Sequence, residues 1–199
     1  MVNALFFASL VSVLWVAGFS LHVPGLTRWV FAFLLAQALF TGICWLAYQR
    51  WANVSEYYTS IYGVCAVLPS LMALGLSVYA ERHWPLIIAE IVTLGALFYA
   101  GAYLWESGAL RVMGAVGAIY AVSGFFLLLS LTRPTDAPWD RVCLILGLFL
   151  LVQGMLSLLF VANATAHRAE TMAVANWAPS FVALVLMLWL GDYLYRTVK

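Results

Sequence analysis

Charge is scarce in this sequence. Asp, Glu, Lys and Arg make up 9% of its 199 residues, and lysine occurs once, as Lys199. A net charge of +1 leaves no basic face for nucleic acid. With its one lysine at position 199, the chain also lacks the mid-helix amine that a lysine-bound retinal needs. Cysteine is rare too. Cys44, Cys65 and Cys143 stand far apart and form no CxxC pair, so they read as small buried hydrophobes. No HExxH, GxSxG, P-loop or GxGxxG signature occurs. No His and carboxylate cluster has metal spacing. The sequence points away from an enzyme, and no cofactor or metal is expected from it.

Apolar residues fill the space instead. They make up 66% of the chain, and the mean hydropathy is +1.01. Seven runs of roughly 20 mostly apolar residues cover about 3–23, 28–49, 57–80, 84–104, 109–131, 140–162 and 172–195. That is the length a helix needs to cross a bilayer. A soluble domain of this size could not hide so much apolar surface in one core. The runs are continuous rather than alternating, so helices, not barrel strands, would satisfy the backbone in lipid. The expected fold is all-α: a polytopic bundle of seven transmembrane helices forming one integral domain over 1–199, in the plasma (cytoplasmic) membrane. No Lys or Arg precedes the first run and no small-x-small site stands out near Phe19 to Gly25, so it reads as a retained helix.

The breaks carry turn chemistry. Pro24-Gly25, Arg50 to Glu56, Glu81-Arg82-His83, Glu106-Ser107-Gly108, Arg133-Pro134-Thr135-Asp136 and His167-Arg168-Ala169-Glu170 separate the runs. Trp29, Trp51, Trp84, Trp105, Trp139, Trp177 and Trp189 fall near run ends, where a half-wet indole is at home. Trp15 and Trp45 lie further in. With the N-terminus outside, the inner segments hold Arg28, Arg82, Arg133, Arg141, Arg196 and Lys199. The outer ones hold Arg50, Arg111 and Arg168. That balance favours N-out, C-in.

An internal pattern links each run to the fourth one after it. Leu26-Thr27-Arg28 matches Leu131-Thr132-Arg133, and Leu34-Leu35-Ala36-Gln37 resembles Leu150-Leu151-Val152-Gln153. Pro69-Ser70-Leu71-Met72-Ala73-Leu74 resembles Pro179-Ser180-Phe181-Val182-Ala183-Leu184. The order describes two parallel three-helix halves and a linker, a 3+1+3 plan, with any solute site between the halves. In helix count and order this resembles the SWEET and PQ-loop carriers. Their Pro-Gln pair is missing, since the six prolines precede Gly, Ser, Leu, Thr, Trp and Ser.

Glu90 is the sharpest single residue. It lies six residues past Trp84, about 9 Å along a helix. An ionised carboxylate there costs several kcal/mol unless paired or wet. It is either a proton- or cation-binding group facing a cavity or a structural hydrogen-bonder. Gln37 and Gln153, near the middle of their runs, are either interhelical hydrogen-bonders or paired contacts for a solute. Asn176 could join them. Pro69 and Pro179 are hinge candidates or static bends. His22 and His83 share the inner side, where a haem iron is the functional alternative to plain interface histidines. Gly114, Gly117, Ala121 and Gly124 recur at three-to-four spacing and would let another helix approach closely, within the chain or in a dimer.

Two readings follow. The first is a non-catalytic membrane subunit packed with other membrane proteins, in a complex or a homo-oligomer, or with lipid-soluble cofactors; a bound lipid or quinone is compatible with it. The second is a carrier of a small solute or lipid. Short loops and few buried ionisable groups favour the first.

Overall fold

The computed structural model describes residues 2–20, 84–103, 109–132, 137–165 and 169–198, with helical positions at 30–31, 34–35, 37, 71 and 74–75. Everything described is helical. The long elements are α1 (Val2–Ser20), α2 (Trp84–Tyr103), α3 (Ala109–Leu129), α4 (Ala137–Thr165) and α5 (Ala169–Val198), with a 3-10 turn at Ser130–Thr132 closing α3. Two stretches, Gly114–Thr132 and Asp140–Leu159, are long and apolar enough to cross a membrane. Cys44, Cys65, His22, His83 and Pro69 lie outside the described residues, and so does most of the second and third runs.

The ends of these helices have local causes. Pro138 sits in the first turn of α4, where its missing N–H removes no bond. Asp140 follows in the same turn, where a negative charge suits the helix dipole. That is why α4 starts at Ala137 rather than at the expected 140. At the end of α3 the Ser130 hydroxyl donates to the Leu127 carbonyl, and Thr132 Oγ1 donates to Leu129 O at 2.8 Å. These side chains occupy carbonyls that the ending helix would leave open. Ala169 and Glu170, expected in a break, already belong to α5.

The helices pack in the order α2, α3, α4, α5, α1, with α3 on α4 the most extensive contact. That contact is made by missing side chains. A Cβ built on Gly154 would lie 2.5 Å from the Gly117 carbonyl oxygen and 2.8 Å from Ala121 Cα. One on Gly124 would lie 2.6 Å from the Gly147 carbonyl oxygen and 2.8 Å from Leu151 Cα. Gly117 faces Ser157, with 3.0 Å between the built atom and its Cβ, and Gly114 faces Val161. Residue numbers rise on α3 as they fall on α4, so the pair is antiparallel with backbone on backbone. Arg141 stacks over the Tyr193 ring at 5.5 Å, which sets α4 antiparallel to α5. The first helix meets the last at Gly191, where the Trp15 ring edge would stand 2.5 Å from a built Cβ.

The core gathers around α4. Val142, Leu146, Phe149 and Leu150 are at most 1% exposed and share one cluster with Val16 of α1, Leu34, Leu127 of α3 and Met187 of α5. The outside is also apolar. Val11, Trp84, Ile88, Val92, Tyr99, Phe125 and Leu159 are each more than half exposed.

Candidate functional site

On α2 the buried positions include Ile87, Glu90 and Leu94, which share one face by their spacing of three and four. Glu90 is 2% exposed. The helix therefore turns its one carboxylate inward, with Ile87 and Leu94, and sets Ile88, Ile91, Val92 and Tyr99 outward. The opposite arrangement, with the carboxylate reaching outward to water, does not occur.

Tyr120 donates its hydroxyl hydrogen to Gln37 Oε1 at 3.2 Å, and both side chains are buried. The glycine contacts set Ala121 of α3, the residue after Tyr120, against Gly154 of α4, the residue after Gln153. Ser123 of α3 is wholly buried.

Glu90 is the buried carboxylate among the described side chains. Among the described side chains, the other charged groups are Asp140, Arg141, Asp192 and Arg196. They gather at one end of α4 and α5, where Arg196 pairs with Asp192 at 2.9 Å. Both members are more than half exposed, and such a pair contributes little.

Of the sequence-selected residues, Gln37 is joined directly to α3, through Tyr120. Gln153 is half-buried on α4. Asn176 and Pro179 lie within α5, which runs through the proline as one helix. Gly114, Gly117, Ala121 and Gly124 face α4 within this chain. Four participants were not read from the sequence: Tyr120, Ser123, Gly147 and Gly154. The last two carry a usable signal, because Gly147 and Gly154 repeat the seven-residue spacing of Gly117 and Gly124.

No group of three His, Cys, Asp or Glu that could hold a metal ion occurs among the described residues. Cys143 is buried in the core. No protein family, curated protein or solved structure matches this chain.

The Tyr120–Gln37 bond should be measurable. A double-mutant cycle with Tyr120→Phe and Gln37→Leu is expected to give a coupling of about 0.5–1.5 kcal/mol, the net worth of a typical intramolecular hydrogen bond. Additive effects in denaturant titrations would contradict the bond.

Proposed function

We propose that this chain is a seven-helix integral membrane protein, N-out and C-in, that works as a non-catalytic subunit. Its role is to pack against other membrane proteins or lipid-soluble cofactors. The membrane part is supported by the reversed distribution of polarity. Apolar side chains face out along α2 and α5, while Ser12, Gln37, Glu90, Ser123 and Ser130 are buried.

The observation that carries the subunit reading is the backbone contact between α3 and α4. Two helices locked at Gly124 and Gly154 cannot slide or part without losing their closest packing. A static pair of this kind suits a scaffold. Beside it, α2 offers Trp84, Ile88, Ile91, Val92 and Tyr99 on its outer side, a broad face for a neighbour in the bilayer. The test is purification of the full chain in mild detergent. A co-purifying membrane partner or a fixed homo-oligomer is expected, and a clean monomer in lipid nanodiscs sinks the reading.

The buried polar residues favour a second reading, a carrier of a small solute or lipid. Glu90 and Gln37, both buried, and the half-buried Gln153 give it groups that could contact a solute. On this reading, proteoliposome uptake would fall in Glu90→Gln and in the Gln37→Ala/Gln153→Ala double variant. Unchanged flux across sugars, amino acids and lipids would end it.

A further inference from the structure

One end of α4 and α5 carries two arginines whose donor groups are used differently. We propose that Arg141, held over the Tyr193 ring, binds the phosphate of an anionic glycerophospholipid at the membrane surface. This rests on the membrane reading above, because only a bilayer brings a phosphate layer to that depth.

The fork of Arg196 is full. Its Nε donates to Asp192 Oδ1 at 3.1 Å, and its Nη2 lies 2.9 Å from Asp192 Oδ2. That is the two-pronged pairing a guanidinium makes with a carboxylate. Among the described residues Arg141 has no such partner. It is exposed, and its contact is with the half-buried Tyr193, whose ring centre lies 5.5 Å from the guanidinium carbon. An aromatic ring attracts a guanidinium through its π face and leaves the N–H edges for hydrogen bonds. Both arginines are thus held in place, one with its fork closed and the other with its fork open.

Depth points to the occupant. Arg141 is the second residue of the apolar stretch Asp140–Leu159. The 20 residues of that stretch, at about 1.5 Å each, span about 30 Å, the thickness of the hydrocarbon core. Arg141 therefore stands at the edge of the core, where its long side chain reaches the phosphate layer. Trp189 and Tyr195, close to Tyr193 along α5, are both exposed, and half-wet aromatics belong at that level. Charge narrows the class of lipid. An ammonium headgroup meets Arg141 as a like charge, and the exposed acid at this end, Asp192, is already bound to Arg196. Asp140 is half-buried in the first turn of α4. A headgroup with a phosphate and no ammonium, as in phosphatidylglycerol, suits the open cation best.

The test is native mass spectrometry of the full chain in detergent, titrated with phosphatidylglycerol and phosphatidylcholine of equal chain length. Phosphatidylglycerol is expected to bind more tightly. Arg141→Gln should weaken that binding about fivefold, the usual worth of one arginine beside anionic lipid. Arg141→Lys keeps the charge and loses the fork, so it should not restore the wild-type affinity. Equal affinity for the two lipids overturns the proposal. So does phosphatidylglycerol binding that is unchanged in Arg141→Gln, or full affinity in Arg141→Lys. Displacement of the lipid by soluble glycerol phosphate would make this a site for free phosphate and overturns it too. A second measurement needs no variant. The native chain should melt at a higher temperature in phosphatidylglycerol nanodiscs than in phosphatidylcholine ones, and equal melting overturns the site. These failures leave membrane residence standing, because alkaline extraction reads that separately.

Discussion

Gly154→Leu is expected to abolish the folded bundle. Even a methyl at this position would stand 2.5 Å from the Gly117 carbonyl oxygen, and that obstacle is backbone, which has no rotamer to change. Gly154→Ala alone should cost about 1–3 kcal/mol through forced separation of the two helices. Gly124→Ala should behave alike, because it meets the backbone of Gly147 and Leu151. Gly95→Ala is the control. Nothing lies within 4 Å of a Cβ there, so it should be neutral or stabilise by up to about 1 kcal/mol through helix propensity. Gly191→Ala falls between, since the obstructing atoms belong to the Trp15 and Val16 side chains, which can give way. The measurement is the unfolding midpoint in detergent together with the yield of monodisperse protein. If Gly154→Leu melts with the wild type, the seam is misplaced.

The second large effect has a sign that depends on the solvent. Val92 is 65% exposed on α2, two positions along the helix from Glu90. Val92→Arg is expected to cost about 2.5–3.5 kcal/mol and to cut the membrane-integrated fraction after alkaline extraction. In a water-soluble protein the same exposed change would fall within about 0.5 kcal/mol of neutral. Arginine at an exposed site would then leave yield unchanged or raise solubility. A soluble, stable Val92→Arg variant would remove the bilayer from the account altogether.

Much of the helical layout was legible in the residues. The breaks at Glu106-Ser107-Gly108 and Arg133-Pro134 mark boundaries within a few residues, because turn formers and charge cannot hide in an apolar run. The small-residue stripe on α3 was legible for the same reason: Gly114, Gly117, Ala121 and Gly124 align only on a helix. Helix pairing was not legible. Apolar residues stand on outward and inward faces alike, so both faces use one alphabet and no contrast marks the buried side. Thus Val92 and Leu94 look alike in the sequence, although one is exposed and the other buried. The Tyr120–Gln37 bond joins residues 83 positions apart, and nothing local to Tyr120 announces it. Ser123 was hidden by its commonness. A serine in a helix often bonds its own backbone, and only the fold reveals that this one does not.

The meeting of Trp15 with Gly191 has a consequence for how the molecule is made. These two surfaces are separated by most of the polypeptide, with about 150 residues between the end of α1 and the start of α5. The closure entropy of so long an excursion grows only logarithmically, yet the delay during synthesis is real. Until the ribosome has delivered α5, the indole of α1 lacks its resting place.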